Sequence, residues 1–210
     1  MIQTKDYQAH WDRVYANTAT DRLGWYEAVP EPSLQLIQDC QLSPEATILN
    51  VGAGATTLVD ELLKLGFRNL IVNDVSPLAL GQLQERLGAE SQKVRWIVDD
   101  LTQARTLFKL GAVDLWHDRA VLHFFKERAE QDAYFQLLKQ CVRPGGFVIL
   151  AAFHTDGAST CSGLPVHRYD QRELAEKLGD DFALIRSFDH RYTMPSGATR
   201  KYIYTLFKRK

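Results

Sequence analysis

The sequence predicts an α/β fold: a mostly parallel sheet between two layers of helices, a three-layer α-β-α sandwich, closed by an antiparallel strand pair at the C-terminus. Three observations carry this. Short β-rich runs alternate with helix-length segments, the pattern of parallel strands joined by crossover helices. The early runs end in Gly, Asn or Asp, as strand-to-loop junctions do. The last two runs, residues 182–192 and 198–207, flank Met194-Pro195-Ser196-Gly197, a turn with no room for a crossover helix.

The elements follow in order. Residues 1–45 are aromatic-rich and helical in pattern, and read as a cover over the core that spans residues 46–210. Ile48-Leu49-Asn50-Val51 is the first strand, ending at Gly52-Ala53-Gly54. Leu58, Val59, Leu62, Leu63 and Leu65 then repeat at helical spacing, with Gly66 as the stop. Leu70-Ile71-Val72 ends in Asn73-Asp74, and Ser76-Pro77 supplies an N-cap with proline at the first helical position. The strand at 94–98 ends in Asp99-Asp100, and the strand at 113–116 ends in His117-Asp118. A helix over about 127–142 stops at Arg143-Pro144-Gly145-Gly146, and 147–153 is a continuously apolar buried strand. Asp170-Gln171-Arg172-Glu173 starts a short helix that ends at Gly179.

Composition bounds the class. The chain has 210 residues, 45% apolar and 24% charged, the mixture of one globular domain. Its net charge of −1 gives no basic field toward nucleic acid or anionic lipid. The longest apolar run, 147–153, is far short of the ~20 residues a membrane helix needs. Cys40, Cys141 and Cys161 are sparse and form no Cys-x-x-Cys, and the first six residues lack the apolar core of a signal peptide. The expectation is a cytoplasmic protein.

Ligands of open parallel sheets bind beyond the carboxyl ends of the strands. Gly52-Ala53-Gly54 there permits a tight turn and close backbone approach, although such a turn is also a plain strand-to-helix connection. Asp74 stands 22 residues after Gly52, where a carboxylate accepts from ribose hydroxyls. Asp99 or Asp100 can accept from an adenine amine, with Leu101 against the base, although either residue alone also reads as part of a solvated loop. The third small residue of the dinucleotide fingerprint would fall at Thr57, a poor match that points away from NAD.

Asn50-x-Gly52-x-Gly54, Asp74 and Asp100 are arranged as in the seven-stranded, class I S-adenosylmethionine-dependent methyltransferases, which this sequence resembles over nearly its whole length. More narrowly it is similar to a small bacterial group, through His10-Trp11-Asp12, Leu23-Gly24-Trp25-Tyr26-Glu27, Trp116-His117-Asp118-Arg119-Ala120-Val121 and Cys161-Ser162-Gly163-Leu164-Pro165-Val166. That group distantly resembles protein-lysine methyltransferases of the elongation-factor type. The family usually has Asp or Glu at the Asn50 position and often a third glycine where Thr56 stands.

The resemblance implies a Rossmann-like core with seven strands and S-adenosylmethionine as cofactor, released as S-adenosylhomocysteine. It implies that Gly52, Ala53 and Gly54 approach the methionine part, that Asp74 binds the ribose and Val75 packs on the adenine, and that Asp100 and Leu101 hold the adenine. His117 would lie near the transferring methyl group, and Trp25 would close over the cofactor. Candidate bases are His117, Asp118 and His154, with His123 read equally as a core histidine and Asp118–Arg119 equally as a structural pair. His154, residues 155–165 and the N-terminal cover are the candidate acceptor contacts; Arg168 and Tyr169 read either as further contacts or as a solvated and a core side chain. Tyr7, Trp11, Tyr15, Trp25 and Tyr26 read either as a cage for an alkylammonium or as buried helix faces.

The spacings of His117, His123, His154, His167 and Cys161 match no compact metal motif. The chain lacks the Pro-Pro-aromatic tetrad and the Pro-Cys nucleophile of DNA-modifying enzymes. The expected acceptor is therefore a small molecule or a protein side chain, not nucleic acid. The alternatives are an NAD-type oxidoreductase and a catalytically silent protein that binds the same cofactor.

Overall fold

The computed structural model describes residues 6–210; the first five residues of the expected cover lie outside it. Helix α1 (Tyr7–Asn17) opens the chain, with the Asp6 carboxylate accepting from Ala9 N at 2.9 Å as its N-cap. Helix α2 (Glu31–Asp39) follows. The core then alternates: β1 (Thr47–Val51), α3 (Leu58–Lys64), β2 (Asn69–Asp74), α4 (Pro77–Leu87), β3 (Val94–Val98), β4 (Val113–Arg119), α5 (Arg128–Cys141) and β5 (Val142–Phe153). The short strands β6 (Thr160–Cys161) and β7 (Leu164–Pro165) form a separate hairpin inside the expected loop. Helix α6 (Gln171–Leu178), β8 (Phe182–Thr193) and β9 (Thr199–Arg209) complete the chain.

The seven strands order as β3-β2-β1-β4-β5-β9-β8. The first five are parallel; β9 is antiparallel to β5, and β8 to β9. The chain builds outward from β1 to β3, then returns to place β4 on the other side of β1. That reversal opens a crevice above the carboxyl ends of β1 and β4. The strand interiors explain the arrangement. Leu49, Trp116, Ile149 and Leu150 are fully buried, as strands covered on both faces require. Helix α5 buries Tyr134, Phe135, Leu137 and Leu138 against this layer.

Local signals hold where they are chemical. Ser76 Oγ accepts from Ala79 N at 3.1 Å, so α4 starts as its cap and proline dictate. Two strand limits differ by three residues or more from the sequence expectation. β4 extends to Arg119, because Asn50, Val51 and Ala151 on its two neighbours pair with His117, Asp118 and Arg119. β5 begins at Val142, because Val142 pairs with Val113 across an irregularity that spans 113–115. Gly145 there has φ 77°, and the Arg143 Nε–Asp114 Oδ1 ion pair at 2.5 Å holds the segment. No described helix is long and apolar enough to cross a membrane.

Candidate functional site

The loop after β1 turns through Gly52 (φ 52°) and Gly54 (φ 55°), a left-handed backbone that glycine adopts without strain. Space demands glycine as well. A Cβ on Gly52 would overlap the Val121 side chain, and one on Gly54 would overlap the Tyr15 hydroxyl. Ala53 N donates to Asn73 O at 2.9 Å. Gly54 N donates to Asp74 Oδ2 and Ser76 N to Asp74 Oδ1, both at 2.8 Å. Asp74 is thus buried at the tip of β2 with two backbone donors. Burial pushes its pKa up to about 6, and the backbone N–H groups oppose that rise.

The two aspartates after β3 divide their work. Asp99 accepts from the backbone N–H groups of Arg105, Thr106 and Leu107, at 3.0, 2.7 and 2.9 Å, and so shapes the following loop. Asp100 Oδ1 accepts from Thr102 N and Oγ1, both at 2.8 Å.

These strand ends surround one cavity of about 700 Å³, bounded by Trp25, Gly52, Asp74, Val75, Asp100 and Leu101 among others. Six of the nine expected cofactor residues therefore share a single cavity. Ala53 and His117 line a second one of about 530 Å³ instead. Gly54 contributes its N–H to Asp74 rather than a wall. Trp25, Gly52 and Arg119 belong to both cavities.

Helix α1 closes the first cavity. Trp11 meets Trp25 and Phe124 edge-on, at ring separations of 5.6 and 4.9 Å, and Tyr15 meets Trp25 at 6.0 Å. Tyr7, Trp11, Tyr15 and Trp25 all face this cavity, while Tyr26 faces the second. Asp12 accepts from Ser76 Oγ at 2.5 Å and ties α1 to the start of α4.

The three expected bases are not brought together. His117 is 2% exposed and lies between Asn50 Oδ1 and Ser33 Oγ, 2.9 Å from each. Burial drives its pKa down to about 3, so the ring is neutral. Asp118 points to the opposite face of β4, as the strand period of two requires. It accepts from Tyr134 Oη at 2.6 Å and from Val121 N and Leu122 N, at 3.0 and 3.2 Å. His154, at the end of β5, faces Asp156 and Asp189 at 3.5 and 3.6 Å, away from both cavities. His123 is a fully buried core histidine, and so is Tyr169 among the tyrosines. Arg168 donates to Gly157 O at 3.3 Å.

The expected Asp118–Arg119 pair does not form, because neighbours on a strand face opposite ways. Arg119 Nε meets Glu27 Oε2 at 2.9 Å and Tyr204 Oη at 3.0 Å, and Nη1 donates to Trp25 O at 2.9 Å. The guanidinium lies over the rings of Tyr192 and Tyr202, 5.2 and 5.3 Å from their centroids. Arg119 and Glu27 were missed as site residues. Strand alternation from the inward-facing His117 was the signal that would have found Arg119.

The methyltransferase domain family model matches residues 48–146. A methyltransferase of Claviceps purpurea is 31% identical over 147 residues, 68% of this chain and 44% of that protein. The eEF1A lysine and N-terminal methyltransferase of Mus musculus is 22% identical over 94 residues, 45% of this chain and 13% of that protein. The chain thus spans less than half the length of these curated relatives. The N-methyltransferase NodS from Bradyrhizobium japonicum, solved with S-adenosylhomocysteine, superposes with a TM-score of 0.69 at 17% identity, covering 97% of both chains.

Proposed function

We propose that this chain, which shares its seven-stranded fold with the NodS structure and matches the methyltransferase domain model over residues 48–146, transfers a methyl group from S-adenosylmethionine to a small-molecule or protein side-chain acceptor. The observation that carries the proposal is the first cavity. It gathers a glycine turn, a buried carboxylate after β2, and the Val75 and Leu101 side chains at one topological reversal of the sheet. Gly52, without a Cβ, lets Val121 pack directly against the turn, and the apolar side chains of Val75 and Leu101 flank the place of an adenine ring. These residues fit a nucleoside.

In this reading Asp74 accepts from the ribose hydroxyls, Val75 and Leu101 sandwich the base, Asp100 accepts from its amine, and Trp25 covers the site. Gly52, Ala53 and Gly54 lie along the methionine part. His117 fixes the floor through Asn50 and Ser33. The bound cofactor supplies an already activated methyl group. The chain's task is then to orient the acceptor and exclude water, and positioning of this kind supplies about 7–11 kcal/mol. His117 is neutral and enclosed, Asp118 serves the turn after β4, and His154 lies elsewhere. We therefore assign proton removal to none of the three, and expect an acceptor that enters the cavity as the free base. Trp11, Phe124 and Phe125 give that cavity an apolar end, suited to a small acceptor or a narrow side chain. Free thiols at Cys40, Cys141 and Cys161 fit a reducing, cytoplasmic setting.

Calorimetric titration with S-adenosylhomocysteine tests this function. Micromolar binding is the expected result. No binding up to millimolar ligand would sink it, and binding of NAD in its place would favour an oxidoreductase. Turnover on a metabolite and peptide panel separates an enzyme from a silent binding protein.

A further inference from the structure

Arg119 leaves one donor unused. Its side chain is only 10% exposed, and Nη2 is shielded from solvent without a partner. Nε meets Glu27 and Tyr204, and Nη1 donates to Trp25 O, so Nη2 is the open corner of a rigidly held guanidinium. Leaving a charged donor buried and unpaired is costly. A ligand atom with a free lone pair relieves that cost.

Position and charge say which ligand. Arg119 walls the first cavity. Asp74 and Asp100 follow β2 and β3, on one side of β1, whereas Arg119 ends β4, on the other. The nucleoside reading fills the β2–β3 side, so the β4 side is left for the methyl acceptor. Arg119 reaches the apolar end of the cavity by contact: it holds Trp25 O, the Trp25 ring meets Trp11, and Trp11 meets Phe124. Burial holds the hydroxyls of Tyr192, Tyr202 and Tyr204 and the Cys161 thiol up, and His117, His123 and His190 down. These neighbours of the guanidinium are therefore neutral near neutral pH. Glu27 is its one anionic partner among the described residues, and the two charges balance. A bound sulfonium adds one positive charge. An ammonium acceptor would add a second beside the unpaired guanidinium, whereas an anion cancels the first.

We propose that Arg119 Nη2 binds the methyl acceptor as an anion, and that this acceptor is an acidic hydroxyl or thiol on a flat, apolar body. This rests on the nucleoside reading of the first cavity and deepens it. The step balances. A lone pair of the oxygen or sulfur anion forms the bond to the methyl carbon, the C–S bond breaks, and its electron pair returns to sulfur. Cation and anion both become neutral and no proton moves, so the site needs no base. The methylated product has lost its charge and with it the pairing to Nη2, which favours release. The probes are para-nitrophenol, which turns yellow on ionising, and para-nitroaniline, a neutral amine of the same shape. Each is titrated into protein saturated with sinefungin, a cofactor analogue with an ammonium in place of the methylsulfonium. Wild type is expected to bind the phenolate at least about tenfold more tightly than the aniline, and to lower the apparent pKa of the phenol by about one unit. Both effects should vanish in Arg119→Gln and in Glu27→Gln/Arg119→Gln, which leaves no unpaired carboxylate behind; the wild-type comparison stands without either variant. para-Nitrothiophenol is run alongside, and the anion bound more tightly fixes oxygen or sulfur as the nucleophile. Equal or tighter binding of the aniline, or a shift that survives loss of the guanidinium, overturns the proposal and leaves the methyltransferase reading standing. So does failure of every probe to bind up to millimolar concentration. Failure of sinefungin itself to bind overturns the nucleoside reading as well.

Discussion

The Gly54 backbone N–H donates to the Asp74 carboxylate at 2.8 Å, bridging the ends of the first two strands. The same carboxylate takes Ser76 N through its other oxygen, so its position and rotation are fixed before any ligand arrives. A ribose diol would add donors to oxygens that are already oriented. Asp74→Ala should weaken S-adenosylhomocysteine binding by about 1–3 kcal/mol, the cost of leaving hydrogen-bonding groups unpaired. Because burial pushes Asp74 up to about 6, its acceptor form is lost as pH falls through that value. Affinity should therefore decline below about pH 6, and the decline should vanish in Asp74→Asn. Calorimetry across that range checks both; unchanged affinity in Asp74→Ala would remove this residue from the site.

Gly54 also governs the cover. Its missing Cβ is the space in which the Tyr15 hydroxyl sits. Alanine there would be strained at φ 55° and would push Tyr15 outward, taking α1 with it. Overpacking of this kind costs about 1–3 kcal/mol. Gly54→Ala should thus lower stability by that amount and speed amide exchange across residues 7–17. Exchange as slow as in wild type would mean that Tyr15 does not anchor the helix.

The path from strand order to Asp74 was legible in the sequence because it depends on local chemistry. A β-rich run, a glycine turn, a capping Ser-Pro pair and a carboxylate at a set distance each leave a mark within a few residues. The place of His117 was not legible. The apolar run of β4 breaks after Trp116, which reads as the strand's end, yet pairing with β1 and β5 carries the strand to Arg119. Those three extra residues turn His117 inward onto Asn50 and Ser33, and Asp118 onto Tyr134. Strand limits of this kind are set by partners distant in sequence. Glu27 is hidden for the same reason, since its meaning comes from Arg119, 92 positions along the chain.

Asp118 now belongs to the frame. Removing its carboxylate would leave Val121 N, Leu122 N and Tyr134 Oη without their acceptor. Each unsatisfied buried group costs about 1–3 kcal/mol, so Asp118→Ala should lose at least about 2 kcal/mol in urea denaturation. Nucleoside affinity of the folded protein should stay near that of wild type. A variant of unchanged stability with abolished turnover would return Asp118 to the chemistry.

The two buried histidines give stability a distinct pH dependence. His117 and His123 are both driven down to about 3 by burial, with the Arg119 charge as a second cause. In the unfolded chain a histidine takes up its proton near 6.5. Between these values the unfolded state binds protons that the native state refuses, so stability falls as pH drops below about 6.5. Asp74 and Asp118 act in the opposite sense. Burial raises both to about 6, so the native state gains protons first and stability rises as pH falls from about 6 toward 4. The histidine shifts are the larger, and they begin at higher pH, so the net effect from pH 7 to 5 is a loss. His123 Nε2 has no partner, Nδ1 accepts one long bond from Phe153 N at 3.4 Å, and the ring packs on Phe124 and Phe153 at 4.5 Å. His123→Leu should therefore flatten the decline by up to about 1.4 kcal/mol per pH unit, one proton's worth. Urea denaturation of both proteins across this range measures the slopes, and parallel slopes would show that His123 does not stay neutral in the native core.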